Sequence, residues 1–84
     1  LLLGTVQGSL WATKKAAGLA GQTFLTVRLD GSDRVFVCAD CVGAGVGECV
    51  LVATGAAART AAGRDLPVDA AVVGIVDAGQ TGRT

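Results

Sequence analysis

The chain has no histidine, tyrosine or methionine, only one proline (Pro67) and only two serines, Ser9 and Ser32. Without His or Tyr, a nucleophile paired with a general base is hard to assemble, because a hydroxyl or thiol needs such a partner to become reactive. Charge is lacking too. Seven basic residues are balanced by seven acidic ones, so the net charge is zero. That balance gives no electrostatic pull toward nucleic acid or an anionic membrane. Long apolar runs are also missing. The stretch from Ala70 to Val76 spans seven residues and is interrupted by Gly74. A bilayer span needs about 20. No charged segment followed by an apolar one marks a secretory signal. The chain starts at Leu1, and a large second residue would leave an initiator Met in place, so one residue is expected ahead of it.

What is present is apolar and glycine-rich: 51% of the 84 residues are hydrophobic and 13 are glycine. A single small domain is expected. A domain this small buries only about 60% of the surface its unfolded chain exposes. The apolar content exceeds what such a core can hide, so the surplus is expected in a subunit interface.

Strand-forming residues dominate. Strands are expected over 1–13, 22–29, 34–39, 48–54 and 70–77, with loops over 14–21 and 64–67. Gly4 and Gly8 suggest a bulge or tight curvature in the first strand. Asp30-Gly31-Ser32-Asp33 is a hairpin signal joining strands two and three. Residues 55–62 are Ala-rich and form the one plausible helix, with Thr54 as N-cap and Gly63 after its C-terminus. The polar tail, 78–84, is expected to fray. The pattern predicts a mainly β protein: a small five-stranded, partly open barrel of oligonucleotide-binding (OB) type, with one short helix between strands four and five. A small sandwich is the structural competitor.

Val42-Gly43-Ala44-Gly45-Val46-Gly47-Glu48 is the most informative segment. Three glycines at alternate positions do not fit a strand interior. They fit positive φ, or close approach of another chain. A dinucleotide-binding loop would require G-x-G-x-x-G opening a helix, whereas strand sequence follows here. Cys38, Cys41 and Cys49 could supply three ligands to a metal, or a redox dithiol. Cys38 and Cys41 have opposite parity along a strand, however, and the simpler reading is buried apolar filler. Asp40, Glu48, Asp69 and Asp77 are scattered in sequence and could meet only through folding. Single-strand binding on an OB-type barrel would use aromatic platforms and a basic groove. Trp11, Phe24 and Phe36 are the only aromatics, and Lys14-Lys15 is the only adjacent basic pair. Trp11 is better read as a core or interface anchor, and Lys14-Lys15 as a solvated loop.

Four motifs together carry a family resemblance. They are Leu2-Leu3-Gly4-Thr5-Val6-x-Gly8, Asp40-x-Val42-Gly43-Ala44-Gly45-Val46-Gly47-Glu48, Thr54-Gly55-x-x-Ala58-Arg59, and the segment from Pro67 through Val68, Asp69 and Gly74 to Asp77. In this order the chain resembles the pentameric vertex proteins of bacterial microcompartment shells, of the carboxysome and ethanolamine-utilisation type. The resemblance implies an OB-like barrel over 1–77 that forms a cyclic homopentamer without catalysis or a cofactor. It implies hexameric and trimeric shell proteins as partners, no nucleic acid or membrane, and a place in a shell within the bacterial cytoplasm. It also implies that Gly43, Ala44, Gly45, Val46, Gly47, Glu48 and Arg59 belong to the subunit interface near the five-fold axis. Three features depart from the family pattern: Ala56 and Ala57 stand where Ser is frequent, the 30–33 hairpin is short, and the cysteines are not a family signature.

Overall fold

The computed structural model describes residues 1–11, 16, 19, 21–62 and 67–77. Five strands and one helix follow in the order β1 (Leu2–Leu10), β2 (Phe24–Leu29), β3 (Val35–Asp40), β4 (Cys49–Thr54), α1 (Ala56–Ala61) and β5 (Ala70–Val76). Strand order β1-β2-β3-β5-β4 closes into a barrel. The expected partly open barrel is therefore corrected to a closed one. Lys14-Lys15, Gly63 and the tail over 78–84 lie outside the described residues, as do positions 12 and 13 of the expected first strand.

Closure depends on β1, which pairs with two partners. Its first half pairs with β4, from Leu2 opposite Val52 to Thr5 opposite Cys49. Residues from Gly4 to Leu10 pair with β2. The register slips by one between Val6 and Gly8, leaving Gln7 as an extra residue. A bulge of this kind bends the strand, as a small barrel requires. Gly4 sits where the wall is tightest. A Cβ there would lie 2.5 Å from Val27 Cγ1 and 2.9 Å from the Arg28 carbonyl oxygen.

The other closing contact is a short parallel pairing of β3 with β5, Ala39 with Ala71 and Asp40 with Val72. Parallel pairs are stable when both faces are covered. Val72 faces the barrel core with Val6, Leu25, Val27, Cys38, Val50 and Val52. On the outer side α1 lays Ala58 against Ala39 and Ala71, with Phe24, Val68 and Val73 around them. Small residues on all three elements let the helix come close. Each fully buried Val or Leu contributes roughly 1.5–3 kcal/mol, so the aliphatic interior carries most of the fold.

The helix starts differently from the expectation. Thr54 is the last residue of β4, and the N-cap is Gly55 at φ 62°, with no side-chain cap. The Gly55 N–H donates to the Asp69 carbonyl at 2.8 Å. That bond ties the turn to the approach to β5. Strand ends differ by a residue or two as well: Arg34 precedes β3 and Asp40 completes it. Trp11 lies beyond β1 with 92% of its surface exposed, which removes its core reading and leaves the interface one.

Candidate functional site

The glycine loop, residues 41–48, connects β3 to β4 and is held at both ends by carboxylates. At its start, Asp40 Oδ1 accepts from the backbone N–H groups of Val42 (3.1 Å), Gly43 (2.9 Å) and Ala44 (3.3 Å). Short acidic side chains favour such local bonds to backbone a few residues on. At its end, Glu48 Oε1 accepts from the Gly45 N–H at 2.6 Å. Charge-assisted bonds of this length are among the stronger ones in proteins.

The backbone continues the bracing. Gly47 N–H donates to the Val6 carbonyl at 2.9 Å, and Val6 N–H donates to the Glu48 carbonyl at 3.0 Å. Cys41 N–H donates to the Val72 carbonyl at 3.1 Å. The loop is thus tied to β1 at one end and β5 at the other. Ala44 is buried and joins the barrel core cluster. Its methyl group pins the middle of the loop onto the barrel.

Residues 45–48 form a turn, closed by Glu48 N–H to the Gly45 carbonyl at 3.1 Å. Gly47, at φ 88°, occupies the turn position where a type II turn needs positive φ. Gly43 has φ 78°. Gly45 has neither property. Its φ is ordinary, and a Cβ there would meet only Glu48 Oε1 at 3.5 Å, a normal contact. At the tip Val46 is 70% exposed, and Val42 is also exposed.

Arg59 is not brought to the loop tip. It lies half-buried on α1 and donates through Nη1 to the Val68 carbonyl at 3.5 Å. Helix α1 follows Thr54, which pairs with Ala70, while the end of the loop leads into Cys49, which pairs with Val76. Arg59 and Glu48 therefore belong to opposite ends of β4. The residue that sequence reasoning undervalued is Asp40. The one sequence hint was an Asp placed directly ahead of a glycine-rich loop, since the groups it binds are backbone N–H groups.

The cysteines do not converge. Cys38 is buried in the barrel, Cys41 is exposed and Cys49 is half-buried, and all three are free thiols. Burial, with the charge of Asp69 as a lesser cause, pushes the Cys38 thiol up to about 11. Burial and then Asp40 raise Cys41 as well. Both shifts favour the protonated sulfur over the nucleophilic thiolate. Buried filler describes Cys38 and is corrected for Cys41, which faces solvent. Phe24 and Phe36 pack against the core clusters rather than standing out as stacking platforms.

Barrel and loop together define a small closed-barrel protein, whose distinctive part is a braced loop presented outward. The family profile described as "Ethanolamine utilisation protein EutN/carboxysome" matches residues 1–77. The chain is 47% identical over 89 residues to the bacterial microcompartment shell vertex protein GrpN of Rhodospirillum rubrum, covering 96% of this chain and 98% of that protein. The solved CcmL structure of Nostoc sp. PCC 7120 superposes with a TM-score of 0.86 at 38% identity, covering 92% of this chain and 89% of that one. The solved pentameric microcompartment shell protein GrpN from Rhodospirillum rubrum gives a TM-score of 0.77 at 40% identity, with coverages of 92% and 94%. The chain belongs to the EutN/CcmL family of bacterial microcompartment shell vertex proteins. That family is structural and not enzymatic.

Proposed function

We propose that residues 1–77 act as one ring-forming unit, and that five copies of this chain close into a pentamer capping the vertices of a microcompartment shell in the bacterial cytoplasm. Hexameric and trimeric shell proteins are its neighbours there. A sheet of hexagonal tiles is flat and closes only where pentagons interrupt it, so a dedicated five-fold subunit has a geometric task. Head-to-tail contacts close into a ring when the rotation per subunit divides the circle. The pentameric form of GrpN supports this reading.

The observation that carries it is Gly45. Nothing inside the chain requires glycine there, neither φ nor a neighbouring atom. Absence of a side chain is instead useful to something approaching from outside, between exposed Val42 and Val46. Close backbone approach at a subunit contact is such a use. Gly43, Ala44, Gly47 and Glu48 complete the loop side of the proposed interface, and Arg59, at the other end of β4, is assigned to it through the family resemblance. The exposed apolar residues Leu10, Trp11, Val35, Val37 and Ile75 provide the surplus surface that a ring of stable interfaces buries.

Light scattering on the purified chain should give a five-subunit mass. A monomer at all concentrations would overturn the reading. Gly45→Val should abolish the ring while leaving the protomer folded by circular dichroism. A stable five-subunit Gly45→Val ring would refute the close-approach role.

A further inference from the structure

The β2–β3 hairpin carries a reactive pair that the pentamer reading leaves unused. Asparagine is absent from the chain, and of its six aspartates only Asp30 is followed by glycine. An aspartyl carboxyl can react with the backbone nitrogen of the next residue and close a five-membered imide. Glycine in that next position hinders the attack least, because it has no Cβ. Asp-Gly is also a turn signal for conformational reasons, so chemistry and fold meet at one place.

The fold leaves both partners open at this turn. Asp30 and Gly31 are exposed. Gly31 has φ 73°, and no atom beyond its chain neighbours lies within 4 Å of where a Cβ would stand. Its N–H donates to no acceptor among the described residues. A hollow of about 360 Å³, lined by Arg28, Asp30, Gly31, Ser32 and Asp33, admits water to the pair. Other aspartates are followed by nitrogens that the structure has already used. The Arg34 N–H, after Asp33, donates to Ser32 Oγ at 3.0 Å. The Cys41 N–H, after Asp40, donates to the Val72 carbonyl. Ala70, after Asp69, is buried.

One contact restrains the reactive carboxyl. Asp30 Oδ1 accepts from Thr5 Oγ1 at 3.3 Å. That is longer than the usual hydroxyl bond, so it holds the carboxyl toward β1 without locking it there.

We propose that Asp30-Gly31 is a site of spontaneous backbone isomerisation, with the Thr5 hydroxyl as its brake. The Gly31 nitrogen bonds to Cγ of Asp30 and releases its proton to solvent, while a carboxyl oxygen leaves as water. Water then opens the imide. Breaking the bond from nitrogen to Cγ restores Asp30. Breaking the bond from nitrogen to the main-chain carbonyl carbon leaves an isoaspartyl link through Cβ. One water is lost and one regained, so the mass does not change. The link adds a carbon to the main chain inside a turn closed by Ser32 N–H to the Leu29 carbonyl at 3.2 Å and by Leu29 N–H to the Arg34 carbonyl at 3.0 Å. It also shortens the carboxylate arm that reaches Thr5. The hairpin end of the barrel is therefore where the chain ages.

The test holds the purified full chain warm at neutral pH for weeks. Isoaspartate is counted by enzymatic methylation and located by peptide mapping. It should accumulate at residue 30 without a change in mass, and the modified fraction should unfold at lower urea. Asp30→Glu, which could close only a larger ring, should show none at that position. Thr5→Val should raise the rate several-fold, and Thr5→Ser, which keeps a hydroxyl, should return it to the wild-type value. Circular dichroism checks that each variant is folded. A folded wild type that stays free of isoaspartate at residue 30 would overturn the site, whatever the chain does in urea. A folded Thr5→Val variant that isomerises no faster than wild type would overturn the brake.

Discussion

Gly4 and Gly45 are the same residue under opposite pressures. Gly4 is walled in by its own chain, with Val27 and the Arg28 backbone within 3 Å of where a Cβ would stand. Gly45 is open, braced by Glu48, and free of any such constraint within the protomer. Gly43 and Gly47 lie between these extremes: space surrounds them, and φ is what selects glycine. One residue type thus answers to packing at Gly4, to φ at Gly43 and Gly47, and to neither within the protomer at Gly45, where the proposed ring contact falls.

Substitutions can sharpen or break this contrast. The largest effect is expected from Gly4→Val. Its side chain must displace backbone as well as Val27, and overpacking of this kind destabilises by roughly 1–3 kcal/mol or more. Urea denaturation should show a lower midpoint or no folded baseline. Asp40→Ala comes next, since it leaves three N–H groups of the loop without their acceptor. A loss of about 1–3 kcal/mol is expected, and Asp40→Asn, which keeps a carbonyl acceptor, should recover part of it. Gly47→Ala forces a side chain to φ 88°, a strain of about 1–2 kcal/mol, visible as a lower thermal midpoint.

A smaller effect comes from pH. The Cys38 thiol titrates near 9.0 when unfolded and at about 11 in the fold. The folded chain thus keeps a proton that the unfolded chain releases. Its contribution is complete below pH 9 and is lost as pH rises toward 11. Urea midpoints should fall between pH 8 and pH 10.5, less so in Cys38→Ala measured against its own value at pH 8. The smallest change in protomer stability, within about 0.5 kcal/mol, is expected for Gly45→Ala. If Gly45→Ala destabilises the protomer as much as Gly47→Ala does, the distinction between the two kinds of glycine disappears.

Much of this was legible in the sequence for local reasons. Strand residues alternate or run apolar between turn signals, so all five strands and the helix were found near their places. Gly4 and Gly8 flagged curvature because glycine in a strand has few other uses. Thr54 misled because Thr-Gly before an Ala-rich run looks like a cap, whereas pairing with Ala70 keeps Thr54 in β4. Closure was not legible, because it depends on two parallel residue pairs, Ala39 with Ala71 and Asp40 with Val72, that no local pattern encodes. In the site, the glycines and Glu48 stood out by spacing, but Asp40 did not, because its partners are backbone N–H groups and carry no side-chain signature. Arg59 was grouped with the loop through the family pattern, and the fold places it at the far end of β4.

The closed barrel has a consequence for growth. A sheet with a free outer strand can recruit further strands through its backbone, with little regard for sequence and no built-in stopping point. Here every described strand has two neighbours, with β3 and β5 meeting at two residue pairs, so that indiscriminate route is narrowed. Copies that join through side chains and loops meet at an angle fixed by their shapes. An angle can return to its starting point, and a ring of the kind proposed for this chain has to stop.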